Sequence, residues 1–425
     1  MKKLFFVGFF FFISFFAFSQ INFDDYFVDK SLRFDYIHGG NADSEYLFLQ
    51  QIKEEEFWGG SKTALIDTFR YGDYMLMVYD STSNSLIYSR GYSTLFREWQ
   101  EIEEATVTNR SFYEVVTFPF PKKTVKLVFE KRNAQNVFLE IATFFVNPTN
   151  YFISPEKPFN FPASRIFGNR DYHKALDIVI IPDGYTKAEM EKFRKDCERY
   201  VNLFFKVSPF KENKDKINFW AVEAASEQSG TDIPGTDVWK NTILSTHFYT
   251  FNSERYLTCP DIKTLRDLCG LVPYDQIYIL VNTSKYGGGG IYNYYNLCSS
   301  DHAQSEQVFT HEFGHAFGAL ADEYEYGFDN ADELYDPETE IYAPNITNLV
   351  DFEKKWKHLV SPGTPIPTPP LEKFKNTIGA FEGAGYVTKG VYRPMQNCKM
   401  RTNEENNFCP ICHKVVLDLL KFYTE

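Results

Sequence analysis

The hydrophobic pattern of this chain changes once, near residues 147–162, and this change most constrains the fold. Before it, short segments rich in β-branched and aromatic residues alternate with polar turns, with no clear helix. After it, apolar strands alternate with helical stretches. A chain of 425 residues is also too long for one compact core. We therefore predict an all-β sandwich over residues 21–147, a linker at 148–158 and an α/β domain over residues 159–425.

The predicted strands follow from local composition. In the first domain they are Tyr74–Tyr79, Ser85–Tyr88, Phe112–Phe118, Thr124–Phe129 and Val137–Phe145. In the second they are Leu176–Ile181, Asn218–Ala224 and Gln276–Val281. Thr186 and Glu189 form a capping box that begins a helix reaching about Phe205.

A run of four glycines, Gly287–Gly290, precedes Ile291–Leu297, which we predict as an edge strand. Glycines let a backbone approach another chain closely, so this edge could pair with an extended peptide. A flexible loop is an equally good interpretation of the glycines.

The N-terminus predicts export. Lys2 and Lys3 precede an apolar run from Leu4 to about Phe18, the pattern of a secretory signal peptide over residues 1–20; a retained anchor helix is the alternative. No later stretch reaches transmembrane length, so we expect no membrane span in the mature chain and a secreted, periplasmic or cell-surface location. The net charge of −13 argues against nucleic acid or an anionic membrane surface as the main partner.

A predicted helix over Ser305–Leu320 carries the clearest chemical signal. Its apolar stripe consists of Phe309, Phe313, Ala316, Phe317 and Leu320. On an adjacent face, His311 and His315 lie four residues apart, so both imidazoles project toward one point. This spacing holds Zn²⁺ with two nitrogens, while Glu312 between them deprotonates a water molecule. We predict His311 and His315 as zinc ligands and Glu312 as the catalytic base.

A catalytic zinc site needs a third protein ligand and an open fourth position. Gly318 follows the two histidines, and we predict a left-handed conformation there that ends the helix. Asp322 is the nearest oxygen donor after this glycine and is the predicted third ligand, with Glu323 as runner-up. The more distant Glu333 and Glu338 are less favoured alternatives.

The stretch His311–Tyr324 resembles the M64 peptidase family, the IgA peptidases, and the wider metzincin clan. The resemblance to the M64 family extends to Tyr88–Gly91, Phe96–Trp99, Asp177–Tyr185, Glu227–Asp232, Tyr392–Met395, Asn397–Arg401 and Phe408–Cys412. It implies a zinc cofactor, endopeptidase activity and a metzincin-like zincin core in the second domain. The clan's usual third-ligand position is Ala321 here, which cannot bind a metal, so Asp322 departs from that pattern. The implied substrate is a protein or peptide, with immunoglobulin or another host glycoprotein as candidates.

The same resemblance implies a methionine-containing turn beneath the metal. Met400 is the better match to it and Met395 the alternative. A tyrosine could stabilise the developing oxyanion, and the sequence leaves Tyr324 and Tyr392 equally eligible.

The chain contains seven cysteines, which could form disulfides in an exported protein or bind a second metal ion. In an oxidising compartment we predict a disulfide between Cys398 and either Cys409 or Cys412. A structural zinc site that includes His413 is the alternative interpretation of this cluster.

The remaining cysteines carry weaker predictions. Cys259 and Cys269 close a short loop and could form a second bridge, and Cys197, within a predicted helix, is expected to be unpaired and buried.

Two functions from different classes are compatible with this sequence. The first is an exported zinc endopeptidase. The second is a surface or secreted binding protein that adheres to glycans or host proteins and contains a purely structural zinc site. A structural site needs no general base beside its ligand and usually closes its fourth position with Cys or His. Glu312 therefore favours the enzyme.

Overall fold

The computed structural model describes residues 21–425, so the predicted signal peptide lies outside the described residues. Within residues 21–425, no helix combines the length and the hydrophobicity needed to span a bilayer. The helices are α1 Phe23–Tyr26, α2 Leu95–Gln100, α3 Glu104–Val107, α4 Met190–Phe204, α5 Ile262–Cys269, α6 Ser305–Ala316 and α7 Pro410–Thr424.

Seventeen strands are defined in the same residues. Those of the first domain are β1 Phe27–Gly40, β2 Glu45–Glu55, β3 Tyr74–Asp80, β4 Leu86–Tyr92, β5 Arg110–Pro121, β6 Val125–Arg132, β7 Phe138–Val146 and β8 Ile153–Ser154. Those that follow are β9 Ala163–Phe167, β10 Leu176–Asp183, β11 Ile217–Val222, β12 Gln276–Val281, β13 Gly288–Ile291, β14 Tyr295–Ser299, β15 Glu325–Asn330, β16 Phe381–Ala384 and β17 Tyr386–Arg393.

The first domain consists of two four-stranded sheets, ordered β5-β1-β2-β8 and β4-β3-β6-β7. Alternate residues of β1 and β3 point inward, and Phe34, Tyr36, Leu76 and Val78 meet in one core between the sheets. The layered arrangement is that of a β-sandwich. Strand β8 lies within the predicted linker and pairs in parallel with β2.

The second domain is built around a six-stranded sheet ordered β13-β14-β12-β10-β11-β9. The four inner strands are parallel, and β9 and β13 run antiparallel at the two edges. Helices α4, α6 and α7 share one hydrophobic core with this sheet, and α5 belongs to a second core. Strands β10 and β12 are fully buried because helices cover both faces of the sheet, so their sequences are nearly continuous apolar runs. This part of the chain has a mixed α/β architecture.

Two details of the second domain differ from the predictions. Residues Gly288–Ile291 form the edge strand β13, and Tyr295–Leu297, predicted as part of the edge, belong to the inner strand β14. The capping box predicted at Thr186 and Glu189 is present, but it begins a 3₁₀ turn that leads into α4.

Candidate metal centre and cleft

Helix α6 presents the predicted motif because its opposite face is held firmly in the core. Phe309 stacks on Tyr278 of β12 with ring centroids 3.9 Å apart, and Phe313 packs edge-on against Phe204 of α4. The helix ends at Ala316, earlier than predicted. The left-handed residue after it is Ala319, with φ of 50°, so the prediction of a left-handed Gly318 is wrong.

The turn after α6 brings Asp322 beside the two histidines. His311 Nε2 and His315 Nε2 lie 3.1 Å apart. Asp322 Oδ1 lies 3.1 Å from the first nitrogen and 3.3 Å from the second. Three side chains separated by up to eleven positions in sequence thus direct one atom each toward a common point.

The outward nitrogens of both rings are already engaged. His311 Nδ1 donates to the Lys399 carbonyl oxygen at 3.0 Å, and His315 Nδ1 donates to the Leu320 carbonyl oxygen at 2.6 Å. A carbonyl can only accept, so in the neutral rings these bonds place the proton on Nδ1 and leave the Nε2 lone pairs facing Asp322.

Three electron-pair donors therefore face one another, and no described residue donates a hydrogen bond to the buried Asp322 Oδ1. Such an arrangement is unfavourable without a positive charge among the three atoms. Two imidazole nitrogens and one carboxylate oxygen form a donor set that suits zinc, and their mutual distances fit ligands around one such ion.

The second oxygen of Asp322 is held by a residue outside the motif. The Tyr386 hydroxyl donates to Asp322 Oδ2 at 2.5 Å, and the Tyr386 ring lies edge-on to Tyr324. Burial opposes ionisation of Asp322, but positive charge beside it, which protonated His315 and His311 supply, holds the pKa of this carboxyl well below its usual range. A bound cation would supply the same charge with both rings neutral. Asp322 is therefore a carboxylate with a fixed orientation.

Glu312 lies on the cleft side of α6, against the edge strand β13. A Cβ on Gly288 would come within 2.6 Å of both Glu312 Oε1 and Val308 Cγ1, so only glycine permits this approach. Desolvation raises the pKa of the Glu312 carboxyl, while the neighbouring His311 and His315 lower it. Tyr256 bridges to Gly288 on the outer side of β13, so this edge is only partly open to an extended peptide.

The alternative ligands considered from sequence lie elsewhere. Glu323 points away from the histidines and accepts a bond from Asn345. Glu333 accepts from the backbone of Asp329 and Asn330, and Glu338 is exposed. Of the four acidic residues considered as third ligand, only Asp322 lies beside the two histidines.

Met400 lies directly beneath α6, where the resemblance places a methionine. Gly314, between the two histidines, leaves room for it, because a Cβ there would come within 2.5 Å of Met400 Sδ. Met395 is only partly buried at the edge of the same core. Of the two tyrosines, Tyr324 lines the cleft, whereas Tyr392 pairs through its backbone with Thr347 and does not line it.

A cleft of about 1260 Å³ opens onto His311, Glu312 and His315. The first domain forms part of its wall through α2, which the sequence analysis did not predict. The Tyr256 hydroxyl donates to Glu98 of α2, and burial raises the pKa of Glu98 to about 7. Both domains therefore shape the space in front of His311, His315 and Asp322.

The predicted disulfides are absent from the structure. All seven cysteines lie within the described residues and all are free and buried, Cys197 among them. Cys259 precedes helix α5 and Cys269 is its last residue, and Cys259 Sγ donates to the Leu244 carbonyl oxygen instead. Cys398, Cys409 and Cys412 converge with Glu323, and His413 bonds to Ser208 away from them.

Comparison with known protein families identifies both parts of the chain. The family described as IgA Peptidase M64 matches residues 166–378 and 370–420, and the family described as Peptidase M64 N-terminus matches residues 22–143. No curated protein matches the chain. The first match includes both histidines, Glu312 and Asp322, which the structure brings to one cleft. The chain therefore belongs to the IgA peptidase M64 family of metallopeptidases.

Proposed function

We propose that this protein is a zinc-dependent endopeptidase, with His311, His315 and Asp322 as metal ligands and Glu312 as general base. The observation that carries the proposal is that two histidine nitrogens and one carboxylate oxygen converge on one point. Because each histidine donates its Nδ1 proton to a carbonyl oxygen, its Nε2 lone pair is free to bind a metal. Zinc, when bound there, supplies Lewis acidity at neutral pH.

The chain's own residues account for the remaining chemistry. Glu312 accepts the proton of the attacking water molecule and donates it to the leaving amine, a role helped by a raised pKa. Tyr324 lines the cleft beside Tyr386 and is our candidate for stabilising the oxyanion. Residues of helix α2 and Tyr256 line the cleft, which we expect to admit a segment of polypeptide as substrate.

We also propose that the protein acts outside the cytoplasm, because residues 2–18 have the composition of a secretory leader. A host glycoprotein, immunoglobulin included, is a substrate candidate through the family name alone.

The test is cleavage of a fluorogenic peptide library together with metal analysis. We expect Glu312→Gln to lower kcat by about 10²–10⁴-fold while it retains zinc, because only the base is lost. Asp322→Ala should lose zinc as well as activity. Glu306→Gln, on the same helix but outside the cleft, is the matched control and should behave as wild type. Full proteolysis by a zinc-loaded Glu312→Gln variant would refute the assignment.

A further inference from the structure

A second group of metal-binding side chains lies behind the first, on the core side of the segment that carries Asp322. It consists of Glu323, Cys398, Cys409 and Cys412, which we call the thiol cluster. One donor atom from each lies within 4.8 Å of those of the other three. All four side chains are buried, none more than 5% exposed.

The contacts within the thiol cluster are those of a ligand set. Cys412 Sγ lies 3.0 Å from Glu323 Oε1, and the backbone N–H of Cys409 donates to Cys398 Sγ at 3.2 Å. Cys409 caps α7, which places Cys409 and Cys412 at the positive end of that helix. A helix N-terminus and an N–H donor both favour the thiolate form of a cysteine.

Glu323 distinguishes a metal site from a disulfide. Its Oε1 accepts from Asn345 Nδ2 at 3.0 Å, but no described residue donates to its buried Oε2. A buried carboxylate oxygen without a partner is costly, and a disulfide between two of the cysteines would leave it unsatisfied. A cation bound by the three sulfurs and the Glu323 carboxylate would satisfy all four groups.

We propose that Cys398, Cys409, Cys412 and Glu323 bind a second zinc ion with a structural role. Thiolate sulfur with one carboxylate oxygen is a donor set that selects zinc among common divalent ions. Ligand atoms around a tetrahedral zinc lie about 3.5–3.8 Å apart, so the cluster needs only small side-chain adjustments. Four protein ligands leave no open position, which is the mark of a structural site.

The thiol cluster is coupled to the cleft through two backbone segments. Glu323 is adjacent to Asp322, and the Glu323 N–H donates to the Met400 carbonyl oxygen at 2.8 Å. Lys399, between Cys398 and Met400, supplies the carbonyl oxygen that orients His311. An ion in the cluster would therefore hold both segments that position the first site. This supporting role rests on the proposed function, whereas binding of the ion does not.

Cobalt substitution separates the two sites in the full-length protein. Co²⁺ bound to thiolates gives an intense near-ultraviolet charge-transfer absorption, and Co²⁺ bound to two histidines and a carboxylate does not. We expect wild type to bind two ions per chain and to show this absorption. His311→Ala should bind one ion and keep the absorption. Cys412→Ser should lose the absorption, and its histidine site should bind zinc about tenfold more weakly.

A second measurement does not require any variant to fold. Wild-type protein purified without reductant should have all seven cysteines alkylated in denaturant, and the cluster cysteines should react in native buffer only after a chelator is added. A disulfide among Cys398, Cys409 and Cys412 would overturn the proposal. So would a cobalt-loaded protein without the charge-transfer absorption, or a single zinc that only His311→Ala removes. Intact thiolate binding with no peptidase activity would refute the proposed function alone.

Discussion

Tyr386 shows how a single side chain outside the motif orients a proposed metal ligand, Asp322. Its hydroxyl bonds to Asp322 Oδ2 and so fixes which oxygen faces the histidines. This contact could not be predicted from the sequence, because Tyr386 lies 64 residues beyond Asp322 and no motif joins them. Its backbone is also left-handed, with φ of 70°, a conformation that a sequence pattern does not indicate for tyrosine.

We expect Tyr386→Phe to weaken zinc affinity at the histidine site by about 10–100-fold, because the ligand loses its orienting partner. Competition with a fluorescent chelator measures this affinity. Tyr392→Phe is the control, since Tyr392 lies outside the cleft lining, and it should leave the affinity unchanged. Equal affinities for wild type and Tyr386→Phe would show that the hydroxyl does not support the ligand.

His311, Glu312 and His315 were predictable because their relationship is local: the helical period alone places the two rings together. Asp322 could be predicted as a candidate third ligand because it is the nearest acidic residue after the helix. The choice between Asp322 and Glu323 required the structure, since consecutive residues there point to opposite sides, one toward the histidines and one toward the thiol cluster. A disulfide was predicted for the three cysteines because Glu323 lies 75 residues before Cys398, and nothing in the sequence pattern joins it to them.

Strand β13 can lie directly against helix α6 because Gly288 has no side chain at the contact. We expect Gly288→Ala to cost about 1–3 kcal/mol in the free energy of unfolding and to lower activity, because its Cβ would overlap Glu312 and Val308. Chemical denaturation and peptide cleavage measure the two effects. Gly289→Ala should be milder, since its nearest neighbour lies 3.1 Å away. Identical behaviour of the two variants would contradict this account.

The strand β1 illustrates why some elements escaped prediction. The five strands predicted in the first domain correspond to β3 through β7, whose segments are rich in β-branched and aromatic residues. Strand β1 carries Arg33, Asp35 and His38 at fully buried positions, so its polar residues hide the two-residue period. Their burial is possible only because partners on other elements satisfy them, which a single sequence does not reveal.

His38 joins three strands of one sheet. Its ring nitrogens lie 2.9 Å from Glu114 of β5 and 2.9 Å from Glu45, the first residue of β2. Burial alone would lower the pKa of His38, but Glu114 and Glu45 raise it to about 9.

A raised histidine pKa stabilises the fold at low pH and not at high pH. The His38 contribution should be complete below about pH 6.5 and should be lost as the pH rises through 9, amounting to about 3 kcal/mol. Urea unfolding of wild type and His38→Gln at pH 6 and pH 10 measures it. The difference between the two proteins should shrink at the higher pH; a difference independent of pH would refute the assignment.

At the scale of the whole molecule, the two domains are joined by a buried ion cluster. Asp267 of α5 accepts from Arg33 of β1 at 2.7 Å and from Lys53 of β2 at 2.6 Å. Leu95 and Val115 of the first domain also belong to the core around α5. The hydrophobic residues of the two predicted domains therefore meet around α5.

We expect Asp267→Asn to destabilise the protein by about 3–5 kcal/mol, because two buried cations lose their shared carboxylate. Asp418→Asn, in an exposed pair with Lys414, is the control and should cost less than about 0.5 kcal/mol. Differential scanning calorimetry can follow both variants. A Tm for Asp267→Asn equal to that of the control would show that the cluster does not hold the domains together.

The bond from His311 to the Lys399 carbonyl has a consequence for biosynthesis. The motif helix is translated nearly ninety residues before the carbonyl that orients it, and Cys412 follows later still. A nascent chain that has released only the helix from the ribosome cannot hold His311 in its final orientation. Under the proposed function, peptidase activity therefore has to wait until Lys399 has been translated, and we expect chains that terminate before this residue to be inactive.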